Sequence, residues 1–569
     1  MAADQPPWWT RAVVYQVYPR SFMDSDGDGI GDLGGVLLRL DHLADLGVDV
    51  VWLSPVYPSP QADNGYDISD YQDIDPLFGS LEQLDELITA MHARGMRLVM
   101  DLVVNHTSDQ HPWFAEARSS KDSPKRDWYW WRPPRAGMAA GVPGAEPTNW
   151  QSFFSGSVWE LDEASGEYYL HLFDRRQPDL NWENPHVRQA VYAMMRWWLD
   201  RGVDGFRMDV INMISKDVGE DGHLHDGPPL PGSALGDGSA SYLCGPRIHE
   251  FLQEMHLEVF AGRPDAVLTV GEMPGVTVEQ ARLFTDPGRG EVDMVFQFEH
   301  VGLDHGTSKW DIHPLRLRDL KASFGRWQAG LAETGWNSLY WDNHDQPRAV
   351  SRFGDDSPAY RRDSATCLAT LLHLHRGTPY VYQGEEIGMA NFPFAALEEF
   401  RDVESLNHHV QAVSAGDDPA HVLDALRTMS RDNARTPVQW DTTPNAGFTT
   451  GTPWIGVNPD CGEWNVAAQR DDETSVLAHH RRLIALRRDD DVVALGDFTM
   501  LLPDHDDVYA FTRRLGGEAL LVVCNLSRTA YRLAELLPEA PAAELVLGNL
   551  PDDDPAELRP WEARVLRLP

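Results

Sequence analysis

The stretch SLEQLDELITAMHARGMRLVMDLVVNH, residues 80–106, contains a complete helix-and-strand unit. Ser80 can cap a helix over residues 80–94, with Gln83 closing a capping box and Gly95 ending the helix. The apolar side chains of this helix share one face: Leu81, Leu84, Leu87, Ile88 and Met91. The apolar run that follows, residues 97–104, is typical of a parallel strand buried on both faces. The unit therefore predicts a fold in which helices alternate with parallel strands.

Seven further apolar runs extend this pattern along the chain. A second clear helix starts at Asn184 with Pro185 and ends at Gly202. Eight strands that alternate with helices predict an α/β fold, a (β/α)8 or TIM barrel. The seven runs are residues 13–18, 48–54, 203–209, 267–272, 292–298, 337–341 and 378–382.

The spacing of the runs divides the chain into regions. Residues 1–106 are predicted to form the first part of the barrel and residues 182–489 the second part. Between them, residues 107–181 are rich in Trp, Tyr, Pro and Gly, which indicates an inserted domain after strand three. A second, irregular insertion is expected at about 391–454. Residues 490–569 alternate short β runs with Asp, Pro and Gly turns, which predicts a C-terminal antiparallel β-sandwich.

Composition limits the partners of the protein. The chain of 569 residues has 48 Lys and Arg against 88 Asp and Glu, a net charge of −40. Such a surface repels phosphates and anionic lipids, so neither nucleic acid nor a membrane is an expected partner. The four cysteines are widely spaced, which indicates free thiols. No apolar run is long enough to cross a bilayer, and the first residues, MAADQPPWWT, do not resemble a secretory signal. A cytoplasmic protein is therefore expected. A monomer is also expected, with an oligomer as the alternative.

Ionisable residues cluster where the predicted strands end. Because the carboxyl ends of barrel strands meet at one rim, these side chains are expected to lie together. Bringing like charges together costs free energy, so three acids at one rim indicate a functional site. The residues concerned are His106 after strand three, Arg207 and Asp209 on strand four, Glu272 on strand five, and His344 and Asp345 after strand seven.

A pair of carboxyl groups is what glycoside hydrolysis requires. One carboxylate attacks the anomeric carbon and the other, kept protonated, gives its proton to the leaving oxygen. Arg207 lies two residues before Asp209 on the same face of the strand, so it is expected to hold Asp209 ionised. Glu272 has no basic neighbour in the sequence and is the better candidate for the acid.

Four segments then resemble, in order, the signature regions of the α-amylase family, glycoside hydrolase family thirteen. They are DLVVNH (101–106), GFRMDV (205–210), TVGEMPG (269–275) and WDNHDQPR (341–348). The resemblance implies that Asp209 is the nucleophile, Glu272 the general acid/base and Asp345 the residue that binds the 2- and 3-hydroxyls in the transition state. It also implies that His106, Arg207 and His344 line subsite −1. The substrate is then a small oligosaccharide, and no organic cofactor is needed.

Two further segments resemble the exo-acting α-glucosidase branch of that family. In NGYD (64–67), the resemblance implies that Tyr66 stacks on the −1 glucose and Asp67 binds its far hydroxyls. In RDNARTPVQW (431–440), it implies that an arginine pairs with that aspartate; Arg431 is favoured over Arg435. A pocket closed in this way admits only a non-reducing end.

Linkage preference depends on residues beside the nucleophile. Val210, directly after the nucleophile, resembles the residue that oligo-1,6-glucosidases and dextran glucosidases carry there. The physical reason for the preference would be that a β-branched side chain obstructs one orientation of the aglycone. Glu404, in RDVESLN (401–407), lies where those enzymes carry a +1 hydroxyl ligand; a solvated loop acid is the alternative. The expected substrates are isomaltose, isomaltooligosaccharides and panose.

Other functions on the same scaffold stay open. An α-1,4-glucosidase or a sucrose-acting transglucosidase or isomerase is the first alternative. The segment FQFEHVGLD (296–304), however, resembles the hydrolases rather than the Arg-rich loop of sucrose isomerases. A non-catalytic, transporter-associated homologue is a remote alternative, since the chain keeps all three acids and lacks an apolar span.

The segment DSDGDGIGD (24–32) predicts a metal site. Asp24, Asp26, Asp28 and Asp32 occupy positions 1, 3, 5 and 9 of a Ca²⁺-type loop, and Ile30 can offer its carbonyl at position 7. Position 12 is Gly35 rather than Glu, so the loop is not an EF-hand. A structural Ca²⁺ is expected, with Mg²⁺ possible in its place; a metal-free acidic turn is the alternative.

Overall fold

The computed structural model describes residues 6–220, 222–263, 267–538, 543–551 and 553–569, so the first five residues considered above lie outside it. Eight parallel strands form its core, and each lies within one of the eight apolar runs. We refer to them as the first to eighth barrel strands: Val14–Val17, Val50–Leu53, Arg97–Val103, Gly205–Asp209, Leu268–Glu272, Met294–Phe296, Ser338–Leu339 and Thr378–Tyr382.

The strands close into a ring. The first strand pairs with both the second and the eighth, so that Val14 lies opposite Val50 and Tyr380. The others follow in chain order, and a parallel bridge between Val295 and Asn337 joins the sixth to the seventh. The predicted (β/α)8 barrel is therefore confirmed, and the carboxyl ends of all eight strands share one rim.

The predicted helix signals are also present. Ser80 caps the helix Leu81–Ala93, Asn184 caps the helix Pro185–Arg201, and Gly202 ends the latter in the left-handed conformation with φ of 115°. The other α-helices are Leu33–Leu38, Leu40–Leu46, Pro112–Ser119, Ser239–Tyr242, Ile248–Met255, Val278–Phe284, Leu317–Gly330, Ala349–Arg352, Arg361–His373, Val403–Ala415, Pro419–Met429, Val466–Gln469, Val476–Asp489, Asp491–Leu495 and Leu533–Leu536.

Two segments that follow barrel strands carry structure of their own. The segment after the third strand contains a three-stranded antiparallel sheet, in the order Trp131–Arg132, Glu167–Leu170, Trp159–Asp162. The insertion after the eighth strand, at about 391–454, is not irregular as predicted. It contains the helices Val403–Ala415 and Pro419–Met429, which Asp402 and Asp418 cap with their carboxylates.

The end of the chain forms antiparallel sheets, as predicted. Five strands pair in the order Asp497–Leu501, Val508–Leu515, Glu518–Asn525, Ala563–Arg567, Glu544–Gly548, and a second sheet pairs Tyr531–Arg532 with Glu557–Leu558. The four cysteines are free, which confirms the expected thiols. In the part of the chain that the structure describes, no helix has the length and hydropathy to cross a membrane.

Candidate active site

A cavity of about 390 Å³ opens at the carboxyl ends of the barrel strands. One part, which we call the inner end, is lined by buried polar side chains: Asp63, Tyr66, His106, Asp209, Glu272 and Arg431. The other part, the outer end, is lined by partly exposed side chains: Phe153, Phe173, Phe298, His305, Lys309 and Glu404. The two ends therefore differ in both polarity and exposure.

Arg207 connects the two carboxyl groups proposed for catalysis. Its Nη1 donates to Asp209 Oδ1 at 2.7 Å, and its Nη2 forms an ion pair with Glu272. The backbone N–H of Val210 donates to Glu272 Oε2 at 3.1 Å. Glu272, which has no basic neighbour in the sequence, therefore shares Arg207 with Asp209, because the fork of one guanidinium reaches across to the next strand. The sequence could not reveal this contact, which joins residues on different strands.

The expectation that Arg207 holds Asp209 ionised is wrong, because burial and the facing Glu272 carboxylate raise the pKa of Asp209 well above its usual range, against the opposing effect of Arg207. The pair therefore retains one proton to a higher pH than two separate carboxyl groups would. One ionised and one protonated carboxyl is the arrangement that double displacement at a glycosidic bond uses.

Asp101 is a site residue that the sequence analysis missed. It lies opposite Arg207 in the register of the third and fourth strands and accepts from Arg207 Nη1 at 2.9 Å. It also accepts from the Tyr66 hydroxyl at 3.0 Å. Strand alternation could have identified it. Asp101 points to the same side of the third strand as Val103, which lies opposite Asp209.

Asp345 lies among cationic groups. Its Oδ1 accepts from Arg435 Nη2 at 2.8 Å and from Arg431 Nη1 at 3.2 Å, and its Oδ2 lies 3.1 Å from His344 Nε2. Burial alone would raise the pKa of Asp345, but His344 and the two arginines hold it well below the usual range. The carboxylate is therefore ionised at neutral pH, and it contacts both arginines rather than one.

The predicted pairing of Arg431 with Asp67 is wrong. Arg431 Nη2 instead donates to Asp63 Oδ1 at 3.0 Å, and its Nε donates to Asp402 Oδ1 at 2.9 Å. Asp67 is fully buried outside the cavity, where it accepts from the backbone N–H of Ala62 at 2.8 Å. Its carboxylate also accepts from the amide of Asp63 and the hydroxyl of Ser59. Asp67 thus shapes the loop that places Asp63 in the cavity.

Three rings surround the inner end. Tyr66 stacks on His344 with centroids 5.0 Å apart and planes within 7°. The expectation that His344 and Arg207 line the cavity is wrong, since both are buried behind its wall; His344 bonds through Nδ1 to Gln16 at 2.8 Å. His106 lines the cavity, with Nε2 lying 3.1 Å from the carbonyl of Tyr66. One face of Tyr66 is therefore fixed by His344, and its ring also lines the cavity where a sugar could stack.

Val210 lines the cavity directly after Asp209 in an unusual backbone conformation. Its φ of 36° and ψ of 40° are left-handed, which is an outlier for a β-branched residue. The side chain is buried against the segment after the third strand, where it contacts a cluster that includes Met213. Strain of this kind at a cavity wall supports a functional reason for the residue.

The outer end is crossed by one ion pair. Lys309, after the sixth strand, pairs with Glu404, whose Oε2 also lies 3.5 Å from Arg431 Nε. Next to Lys309, Trp310 stacks on His408, which lies on the same helix as Glu404, Val403–Ala415, with ring centroids 4.6 Å apart. Glu404 is therefore a cavity residue rather than a solvated loop acid. Lys309 was missed because no local pattern connects it with a residue far along the chain.

The loop at residues 24–32 gathers three of the four predicted carboxylate ligands of the metal. Carboxylate oxygens of Asp24, Asp26 and Asp28 lie within 4.8 Å of one another. A side chain at Gly29, where φ is 97°, would collide with the Thr452 carbonyl, so the tight loop requires glycine there. Oxygen donors at this spacing fit Ca²⁺ or Mg²⁺.

Asp32 faces away from that group. Its Oδ1 accepts from the backbone N–H of Gly35 at 2.6 Å, which caps the helix Leu33–Leu38, and its Oδ2 accepts from the backbone N–H of Ser25 at 2.9 Å. Asp32 therefore serves here as a helix cap, and its role as a ligand stays a prediction. An aspartate directly before a helix was a capping signal as well as a ligand position.

Comparisons with known proteins agree with this geometry. Residues 16–496 match the family model described as alpha amylase, catalytic domain. The chain is 55% identical to an oligo-1,6-glucosidase of Parageobacillus thermoglucosidasius, over 99% of both chains, and 52% identical to one of Halalkalibacterium halodurans, over 98% of both. The crystal structure of the trehalulose synthase MutB from Pseudomonas mesoacidophila MX-45 is similar with a TM-score of 0.92 and 42% identity, covering 99% of this chain and 100% of that one.

Proposed function

The chain belongs to the alpha-amylase family of glycoside hydrolases, and from this premise we propose that it is a retaining, exo-acting α-glucosidase that prefers α-1,6 linkages. The observation that carries the proposal is the guanidinium of Arg207, which contacts both Asp209 and Glu272 at the buried inner end of the cavity. Isomaltose, isomaltooligosaccharides and panose are the proposed substrates.

Asp209 and Glu272 divide the chemistry between them. The Asp209 carboxylate attacks the anomeric carbon while Glu272 gives its proton to the leaving oxygen; Glu272 then takes a proton from the water that releases glucose. A bridge by a single guanidinium holds the two carboxyl groups close together, which favours the separation of about 5–5.5 Å that retaining enzymes use. Asp345, held ionised by Arg431 and Arg435, binds the 2- and 3-hydroxyls of the −1 glucose.

The inner end is closed by charge pairing, which favours exo action. One guanidinium, that of Arg431, contacts the carboxylates of Asp63, Asp345 and Asp402. A chain of sugars cannot pass through this cluster, so the −1 site takes only a terminal glucosyl unit. Asp63 takes over the role that the sequence had given to Asp67.

The preference for α-1,6 links is supported by the outer end and by the relatives. Val210 narrows the cavity beside Asp209, and Glu404 with Lys309 offers a carboxylate and an ammonium to the hydroxyls of a second sugar. The relatives named oligo-1,6-glucosidase match the chain over nearly its whole length.

The test is the relative kcat/KM on isomaltose, maltose and sucrose, with the first-formed anomer of glucose followed by NMR. We expect isomaltose to be the best substrate and α-glucose to appear first. Initial β-glucose would overturn retention, and a higher kcat/KM on maltose would overturn the linkage preference.

Isomerisation of sucrose is the second candidate, because the trehalulose synthase is similar over nearly the whole chain. The segment after the sixth strand, His300–Gly302 and its neighbours, lacks the arginines that retain and re-bond the products in sucrose isomerases. The sucrose arm of the same experiment separates the two, since an isomerase yields disaccharide products where a hydrolase yields glucose and fructose.

We also propose that Asp24, Asp26 and Asp28, with the carbonyl of Ile30, hold a structural Ca²⁺ or Mg²⁺. Three carboxylates within 4.8 Å repel one another, and a bound divalent cation neutralises them. The loop contacts the segment around Thr449, because Asp24 accepts from the Thr449 hydroxyl. The ion's contribution would therefore be to stability rather than to the reaction.

A further inference from the structure

A buried ion pair lies behind the inner end and has no part in the chemistry derived so far. Lys216 Nζ lies 2.7 Å from Asp179 Oδ2, and neither side chain is exposed. Lys216 follows the fourth barrel strand, whereas Asp179 ends the segment inserted after the third. Breaking such a pair leaves a buried charge, so its presence calls for a reason.

The amide of Asn105 bridges this pair. Lys216 Nζ donates to Asn105 Oδ1 at 2.9 Å, and Asn105 Nδ2 donates to Asp179 Oδ2 at 3.2 Å. An ammonium group can only donate and a carboxylate can only accept. The two charges therefore fix which way the amide faces.

That orientation determines what His106 can do. Asn105 Nδ2 lies 3.3 Å from His106 Nδ1, so this ring nitrogen faces a donor and must be unprotonated to accept from it. The proton of a neutral ring then resides on Nε2, which lies 3.1 Å from the Tyr66 carbonyl. Protonation of Nδ1 would place its N–H against the NH₂ group of Asn105, which disfavours an imidazolium.

We propose that Lys216 is a positioning residue that acts through Asn105 to keep His106 neutral, with its proton on Nε2. This inference rests on the proposed function, in which His106 contacts the −1 sugar. An imidazolium there would add a cation beside Asp63, Asp209 and Glu272, and would make the acid that protonates the leaving oxygen ionise too early.

The charges around His106 agree with this role. Burial lowers the pKa of His106 to about 4; the Asp179 carboxylate opposes the shift and the Lys216 ammonium supports it. Without Lys216, the amide of Asn105 is free to turn its oxygen towards His106, and Asp179 is left to attract a proton onto the ring.

The experiment is the pH profile of kcat/KM for 4-nitrophenyl α-D-glucoside in the Lys216→Met variant. We expect the variant to lie within about threefold of wild type at pH 7.5. At pH 5.5 we expect a loss several-fold greater than at pH 7.5, because without the Lys216 ammonium the Asp179 carboxylate raises the pKa of His106 towards its ordinary value and part of the ring is then an imidazolium. An equal loss at both pH values, or none at pH 5.5, overturns the proposal.

Two variants separate positioning from general loosening. Asp179→Asn breaks the same ion pair but keeps the bond from Lys216 to Asn105, so no additional acid loss is expected. In the double variant Lys216→Met with His106→Gln, the additional acid loss disappears because the titrating ring is gone. The same acid loss in Asp179→Asn, or its persistence in the double variant, overturns the proposal.

If Lys216→Met does not fold, Asn105→Leu tests the same claim, since it removes the donor that faces Nδ1; the acid loss is expected there too, and its absence overturns the proposal. Failure of the proposed function looks different. A wild-type protein that hydrolyses no α-glucoside overturns the function, whereas an active wild type with unchanged variant profiles overturns this inference alone.

Discussion

The inner and outer ends of the cavity are built on different principles. At the inner end each charged group has fixed partners; Asp345, for example, contacts His344, Arg431 and Arg435. At the outer end the walls are aromatic, and Lys309 with Glu404 forms the ion pair that crosses them. Removing one member of a buried polar network costs much interaction free energy, whereas breaking a partly exposed ion pair costs little. We therefore expect binding of the glucosyl unit to depend on the inner end and selection of the aglycone to depend on the outer end.

The largest effect should come from Asp209→Asn. Loss of the nucleophile is expected to reduce kcat on every substrate by at least about 10⁴-fold, because the amide of asparagine cannot attack the anomeric carbon as a carboxylate does. The thermal midpoint should stay within a few degrees of wild type, since asparagine keeps the volume and an oxygen for Arg207. Residual activity that differs between isomaltose and maltose would contradict the division between the two ends.

Closure of the inner end is tested by a matched pair of variants. Asp63→Asn removes a charge from Arg431 inside the cavity, and we expect kcat/KM to fall by about 100-fold on isomaltose and maltose alike. Asp67→Asn makes the same chemical change outside the cavity. We expect it to lower the thermal midpoint while kcat/KM stays within about threefold of wild type. The reverse result would restore Asp67 to the site and remove Asp63.

At the outer end, Glu404→Gln should depend on the aglycone. We expect kcat/KM on isomaltose to fall about tenfold, because a charged hydrogen-bond acceptor for the second sugar is lost. The aryl group of 4-nitrophenyl α-D-glucoside offers no such hydroxyl, so its kcat/KM should change by less than about threefold. Equal losses on both substrates would place Glu404 in the inner network through its contact with Arg431.

Val210 should give a smaller change, visible only as a ratio. Val210→Ala removes two methyl groups from the wall beside Asp209 and relieves a β-branched residue with φ of 36°. We expect the ratio of kcat/KM for maltose to that for isomaltose to rise about 3- to 10-fold, which is less than the roughly 10- to 200-fold of one methylene in a hydrophobic pocket because Val210 forms only one wall. Val210→Thr should move the ratio in the same direction. A constant ratio would mean that Val210 does not select the linkage.

The sequence predicted the parts of the site that barrel geometry brings together. Asp209, Glu272 and His106 each end a parallel strand, so their convergence follows from the order of the strands. It did not predict pairings made by irregular loops. Asp63 and Asp67 are four residues apart in a loop without a repeat. The hydrogen bonds that close the loop bury the carboxylate of Asp67 outside the cavity and turn the carboxylate of Asp63 into it. No periodic pattern decides between them.

The smallest effect on activity should come from the loop at residues 24–32, which lies at neither end of the cavity. Chelation with EDTA is expected to lower the thermal midpoint by a few degrees, because a ligand that binds only the folded state stabilises it by about 2.7 kcal/mol at a hundred times its Kd. At 25 °C, kcat/KM should stay within about twofold of the untreated protein, since the loop's contacts run to the segment around Thr449.

Asp26→Asn should abolish the response to chelation. Asp32→Asn is the matched control: asparagine caps a helix as well as aspartate does, so the response should persist. Loss of the response in Asp32→Asn would return that carboxylate to the ligand set and contradict its assignment as a cap.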